Sequence, residues 1–296
     1  MKIVSLLPSA TEICFLLGLE DQLEAVTFEC DYPDAARRKP HATANAIPQV
    51  SDPAEIDRRV REMMDAGEPI YTLDDELIRA IDPDLVLAQD LCRVCAVPSG
   101  HVEEALDRIG RRARVLSLDP SGLADVISCV EQVADAAGVP QRGRDAANEL
   151  RARLDAIRSQ AASLPRPRTL TLEWSDPAFV GGHWVPEMVE LAGGSDVLGA
   201  PRQKSRTVDW SQITDAAPEV VIFMPCGYDL DAAVAEGKRL LDRPELRGAQ
   251  RVFAVDATAY FSRPGPRVTE GVELLAWALH PQRFPEPPAG GIVRLR

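Results

Sequence analysis

The sequence predicts an α/β protein of two lobes, and two repeated segments predict it. A unit of proline, acid, buried strand and cysteine occurs at Pro83-Asp84-Leu85-Val86-Leu87-Ala88-Gln89-Asp90-Leu91-Cys92. It returns at Pro218-Glu219-Val220-Val221-Ile222-Phe223-Met224-Pro225-Cys226. A second unit, Arg114-Val115-Leu116-Ser117-Leu118-Asp119, recurs at nearly the same spacing as Arg251-Val252-Phe253-Ala254-Val255-Asp256. Buried-strand patterns are degenerate, yet two independent echoes at one spacing favour a duplicated lobe over coincidence. In open α/β sheets ligands bind outside the carboxyl ends of the strands, so the residues that end these strands are the first site candidates.

Taken in order, Lys2 to Leu6 is a short apolar strand. Ser9-Ala10-Thr11-Glu12 then caps a helix with the apolar face Ile13, Phe15, Leu16, Leu17, closed by Gly18. Leu23 to Phe28 is a second strand, delivering Glu29-Cys30-Asp31-Tyr32-Pro33 at its end. Asp52 to Ile81 reads as largely helical, broken at Gly67-Glu68-Pro69, and leads into the strand Leu85 to Gln89. After Arg114 to Asp119, the stretch Ala146 to Ser163 carries Leu150, Leu154 and Ile157 on a helical stripe and ends at Pro165-Arg166-Pro167. It reads as the connection between lobes. The second lobe opens with the strand Thr169 to Glu173 and continues through Trp174-Ser175-Asp176-Pro177 and Gly181-Gly182-His183-Trp184 to a helix, Pro186 to Leu191, that ends at Gly193-Gly194. The strands Val220 to Met224 and Val252 to Val255 follow, then a closing helix, Thr269 to Leu279. The expected division is 1–140 for the first lobe, 141–165 for the linker helix, 166–282 for the second lobe, and 283–296 as a loose tail.

Composition narrows the function. With 46 acidic against 33 basic residues the chain carries a net charge of -13, which opposes nucleic acid, because neutralising phosphates needs a clustered basic surface. No apolar run approaches the ~20 residues that span a bilayer, so membrane insertion is not expected. The opening residues, Met1-Lys2-Ile3-Val4-Ser5-Leu6-Leu7-Pro8, read as a strand and not as a secretory leader, and the expected location is cytoplasmic. An exported receptor whose start lies upstream is the alternative. Six cysteines among 296 residues are too few for a secreted disulfide scaffold. No phosphate-binding glycine loop, Gly-x-Ser-x-Gly turn or His-Glu-x-x-His helix is present in the sequence. No catalytic residue is assigned, and the chain reads as a ligand-binding protein.

Four passages resemble the helical-backbone class of substrate-binding proteins, which capture cobalamin, haem, ferric siderophores or metal ions. They are Ser5-Leu6-Leu7-Pro8-Ser9-Ala10-Thr11-Glu12, the Pro83-Asp84-Leu85-Val86 strand entry, Gly193-Gly194, and Asp256 to His280 with Ser262-Arg263-Pro264-Gly265-Pro266-Arg267. The similarity is greatest to the cobalamin-binding branch. It implies two Rossmann-like α/β lobes joined by a long linker helix, a ligand cleft between them, and a cobalamin or other corrinoid, or a related metal-chelate, as ligand. An ABC permease is the implied partner if the protein is exported.

Candidate site residues follow from the strand ends. Cys30, Cys92, Cys95 and Cys226 fall on strand-end loops and together offer four thiolates, enough for zinc or an iron–sulfur cluster. That is the alternative function, a metalloprotein with a redox or catalytic role. A redox dithiol of Cys92 and Cys95 is less favoured, since the next helix begins only near His101. Cys14 and Cys129 lie in apolar helical faces and read as core. Trp174, Trp184 and Tyr228 offer flat surfaces to a conjugated ligand, and His183 offers an imidazole beside backbone-permissive glycines. Arg263 suits a ligand carboxylate or phosphate, or a structural ion pair with Asp256. Ser9, Glu29, Tyr32, Gln89 and Asp90 complete the set as loop-end polar groups.

Overall fold

The computed structural model describes residues 1–46, 52–66, 70–90, 97–288 and 290–296. The chain divides into two compact units, Met1–Pro120 with Ile127–Asn148, and Ser121–Val126 with Glu149–Arg296.

The first unit contains β1 (Ile3–Ser5), α1 (Pro8–Leu16), β2 (Leu23–Val26), β3 (Thr43–Asn45), α2 (Pro53–Ala66), β4 (Tyr71–Leu73), α3 (Asp75–Ile81), β5 (Leu85–Ala88), α4 (Ser99–Arg108) and β6 (Arg114–Ser117). Most of α5 (Leu123–Ala136) belongs to it as well. Its main sheet is parallel in the order β2-β1-β5-β6. β1 and β5 are buried along their whole length, as continuous apolar strands of a covered parallel sheet must be. Val4, Leu6, Val86 and Ala88 pack there with Ile78, Val102 and Leu106 of the covering helices. α1 stops at Gly18, whose φ of 66° suits glycine, and the Arg142 guanidinium donates to Leu17 O at 3.0 Å. β3 and β4 form a separate antiparallel pair, Thr43 opposite Leu73. The sequence reading missed this pair, β4 falling inside its helical stretch and β3 before it, because three-residue strands carry too little periodicity and exist through their non-local partner.

α6 (Pro140–Ala161) runs through the division at Asn148. It begins six residues earlier than the apolar stripe suggested, since proline is tolerated in a first helical turn. The second unit continues with β7 (Arg168–Ser175), β8 (Ala178–Val180), α7 (Val185–Leu191), β9 (Ser195–Asp196), β10 (Arg206–Thr207), α8 (Trp210–Ala216), β11 (Val220–Phe223), α9 (Leu230–Leu240), β12 (Arg251–Val255), α10 (Ala257–Tyr260), α11 (Val268–Leu279) and β13 (Ile292–Arg294). Its sheet runs β10-β8-β7-β11-β12-β13, with β9 beside β7. Leu170, Leu172, Val221, Phe223 and Val252 form its core with Ile213, Leu240 and Leu246.

The repeated segments occupy equivalent places. β5 lies between β1 and β6, and β11 lies between β7 and β12, all parallel. Each echo even shares its backbone entry: Asp82 (φ 53°) closes α3 and Ala217 (φ 42°) closes α8, each in the left-handed region and followed by proline. The left-handed residue ends the helix and the proline keeps it ended. The expected loose tail is corrected, because β13 pairs antiparallel with β12, Phe253 opposite Arg294. Asp256 N–H also donates to Gly291 O at 3.0 Å.

Candidate functional site

In the first unit the strand-end groups are largely consumed by one another. Ser5, at the end of β1, donates to Leu7 O at 3.0 Å. Thr11 of α1 donates to Ser5 Oγ at 2.9 Å, and the Cys30 thiol donates to Thr11 Oγ1 at 3.1 Å. Cys30 is buried, as are Cys14 and Cys129. Burial first, and the neighbouring Cys30 second, push the Cys14 thiol up to about 12. Metal ligation and exchange need thiolate, so burial disfavours both at Cys14. Cys92 and Cys95 lie outside the described residues.

Ser9 is buried in the first turn of α1. Gln89 is buried too and donates its side-chain N–H to Leu118 O at 3.0 Å, holding the end of β5 to the end of β6. Asp90 accepts the Ser99 backbone N–H at 2.9 Å at the start of α4, where a carboxylate complements the helix dipole. The Ser117 hydroxyl lies 3.0 Å from Asp90 and 2.6 Å from Asp119. Phe28 and Tyr71 form a tilted aromatic pair with ring centroids 6.1 Å apart, and the Tyr71 hydroxyl is 3.5 Å from Glu29. Tyr32 is exposed.

In the second unit the strand ends present aromatic surface. β7 pairs with β8 through a register slip between Leu172 and Trp174, so Glu173 is the extra residue of a bulge. Trp174 is partly exposed, and its indole N–H donates to Asp176 O at 3.1 Å. Tyr228 meets it edge to face, ring centroids 5.4 Å apart at 77°. Trp184 is different, because it is 5% exposed and its indole N–H donates to Phe261 O at 2.8 Å. Its ring is buried and its single donor is used. His183 takes φ 50°, and Arg202 N–H donates to its carbonyl at 2.8 Å. Burial, then the nearby Lys204 charge, lower the imidazole's pKa and favour its neutral form. Arg263 is partly exposed and its carbonyl accepts the Gly265 N–H at 2.9 Å. Asp256, its suggested ion partner, caps α10 by accepting the Ala259 N–H at 2.8 Å. Cys226 is exposed on the loop after β11.

Sequence reasoning missed Glu173. Burial pushes its carboxyl up to about 7, while hydrogen bonds with Ser205 and with Gly182 N–H (3.2 Å) oppose the rise, and Asp196 adds to it. Asp196 is itself raised by burial, although it accepts the Thr171 hydroxyl at 2.7 Å. The segment around Ser205 lies directly on Gly182, where a Cβ would stand 2.3 Å from Ser205 N and 2.7 Å from Gln203 O. The available signal was the Thr169-x-Thr171-x-Glu173 stripe, a row of polar residues at strand spacing that needs internal partners. The Arg267 guanidinium lies 5.7 Å from the Tyr260 ring centre.

Among the described residues no group of three or more His, Cys, Asp or Glu is placed to hold a metal ion. Cys30 belongs to the first unit and Cys226 to the second. The zinc or iron–sulfur expectation finds no support here.

Strand-end loops of this kind on two α/β units define a solute-binding architecture, and comparison with known proteins agrees. The family model described as "Periplasmic binding protein" matches residues 3–249, and the chain belongs to that family. A vitamin B12-binding protein of Vibrio cholerae serotype O1 is 25% identical over 279 residues, covering 92% of this chain and 86% of that protein. A vitamin B12-binding protein of Yersinia pestis is 24% identical over 277 residues, covering 93% and 84%. Among solved structures, a periplasmic heme-binding protein of Pseudomonas aeruginosa superimposes with a TM-score of 0.72 at 22% identity, covering 99% of this chain and 97% of that one. The periplasmic vitamin B12-binding protein of Vibrio cholerae gives 0.67 at 24% identity, covering 94% and 96%. The two-lobed α/β class is thereby established. Family membership overturns the cytoplasmic expectation, since these are periplasmic binding proteins. A strand at Ile3 fixes the first element of the fold and carries no information about compartment.

Proposed function

We propose that this protein binds a corrinoid, or a closely related flat metal-chelate, outside the cytoplasm and hands it to an ABC-type permease. The observation that carries the reading is the partly exposed Trp174–Tyr228 pair at the ends of two adjacent parallel strands. An edge-to-face pair whose indole N–H is already bonded offers apolar ring area to a macrocycle without desolvating that donor. The vitamin B12-binding relatives, which match along more than nine-tenths of this chain, support the same ligand class. Family membership supports delivery to a permease. Arg263, partly exposed in the same unit as the aromatic pair, supplies hydrogen bonds to the amide periphery of a corrin in this reading.

Calorimetric and visible-spectral titration with cyanocobalamin and cobinamide, with haemin as the competing macrocycle, tests it. Saturable heat and a spectral shift with the corrinoids are expected. Binding of haemin with no response to either corrinoid would replace the ligand assignment.

A further inference from the structure

The loop that presents Tyr228 is held from three sides, and in one of the three a side chain reinforces a backbone hydrogen bond. Pro225 to Tyr228 is a tight turn, with Tyr228 N–H donating to Pro225 O at 3.0 Å and Gly227 at φ 79°. That positive φ is what a type II turn requires of its third residue, and glycine supplies it without strain. Within the turn, Cys226 N–H donates to Glu173 O at 3.1 Å, tying it to the end of β7 one residue before Trp174. The third restraint comes from α10: Thr258 N–H and Thr258 Oγ1 both donate to Tyr228 O, at 3.2 and 3.1 Å. The carbonyl that sets the direction of the chain at Tyr228 is therefore fixed by a residue at the end of β12. Three neighbouring strand ends, β7, β11 and β12, are locked through backbone atoms around one aromatic pair.

We propose that Thr258 is a positioning residue for ligand selection: it acts through Tyr228, holding that ring edge-on to Trp174 and so setting the shape of the aromatic surface. The inference rests on the corrinoid reading for its ligand, and on geometry alone for the positioning. Orientation of a preformed surface matters because a ring free to rotate must be ordered at the moment of binding, which costs affinity. The side chain must be a hydroxyl: valine has the same shape and no donor, whereas serine keeps the donor.

The test uses the full chain with Thr258→Val, Thr258→Ser, Trp174→Phe and Tyr228→Ala, read by near-ultraviolet circular dichroism and by cyanocobalamin and cobinamide titration. Losing one of two hydrogen bonds to the carbonyl is expected to weaken corrinoid binding about two- to ten-fold in Thr258→Val. The near-ultraviolet band that Trp174→Phe removes should also change, and Thr258→Ser should restore both. In the Tyr228→Ala background Thr258→Val should have no further effect on affinity, as a residue acting through Tyr228 requires. An unchanged band in Thr258→Val, or an equal loss of affinity with and without Tyr228, overturns the proposal. If the wild-type protein binds neither corrinoid, the proposed function fails, while the band change and its return in Thr258→Ser still decide the positioning role.

Discussion

The strand-end loops of the two units began from the same sequence pattern and ended in different uses. In the first unit Cys30, Thr11 and Ser5 form a buried relay, Gln89 ties two strand ends together, and Asp90 caps α4. In the second, Trp174 and Tyr228 keep ring surface partly exposed, with their backbone and indole polar groups bonded nearby. A short polar side chain at a strand end is readily satisfied by its own unit, because every buried polar group must find a partner. An aromatic ring spends its single donor and still has ring surface to offer. In the described residues Cys30 and Gln89 are thus engaged within the first unit, while Trp174 and Tyr228 still present ring surface.

The comparison can be broken most sharply at Gly182. Alanine there would put a Cβ 2.3 Å from Ser205 N, against backbone that cannot rotate away, so Gly182→Ala should cost about 3 kcal/mol in denaturant unfolding. Next, Trp174→Ala should weaken corrinoid binding by about ten- to a hundred-fold, from the lost aromatic area, with little change in unfolding midpoint. An affinity unaltered by Trp174→Ala would remove the second unit's distinction.

Glu173 should make stability pH-dependent. Its folded pKa, about 7, lies above the ordinary carboxyl value of 4.5, so the folded state holds a proton that the unfolded state has lost between those values. The contribution is fully present below about pH 4.5 and is lost as pH rises through about 7. Between pH 5 and pH 8 the wild type should lose on the order of 1–3 kcal/mol from this group, and Glu173→Gln should flatten that slope. A Glu173→Gln profile parallel to the wild type would show that the carboxyl is already ionised. A smaller effect belongs to the first unit. Cys30→Ala should cost about 1–2 kcal/mol and leave corrinoid affinity unchanged, because the buried thiol donates within its own unit to Thr11. Smallest is Gly227→Ala, about 1 kcal/mol, since a Cβ there meets no neighbour and only the positive φ is strained.

Much of the architecture was legible because it is written in short-range pattern. Continuous apolar runs at Leu85–Ala88 and Val220–Phe223, each preceded by a proline, gave equivalent central strands. Gly18 and Gly193 gave helix ends. The two- and three-residue strands β3, β4, β9, β10 and β13 were not legible, since each is defined by a partner far away in the chain. At the site, the sequence offered Trp174 and Tyr228 as aromatic candidates but had no means of pairing them, because 53 intervening residues must fold first. It equally could not separate Trp174 from Trp184, two identical side chains, one partly exposed at the end of β7 and one packed at the start of α7 with its donor bonded to Phe261 O.

By itself the sequence determined the α/β class, the duplicated order of strands and the loops from which a site must be drawn, because hydrophobic periodicity and helix stops are local. Only the tertiary structure decided which side chains in those loops have anything left to offer. That depends on hydrogen bonds between residues distant in the chain, such as Cys30 to Thr11, Gln89 to Leu118 and Thr258 to Tyr228, and no local pattern encodes them.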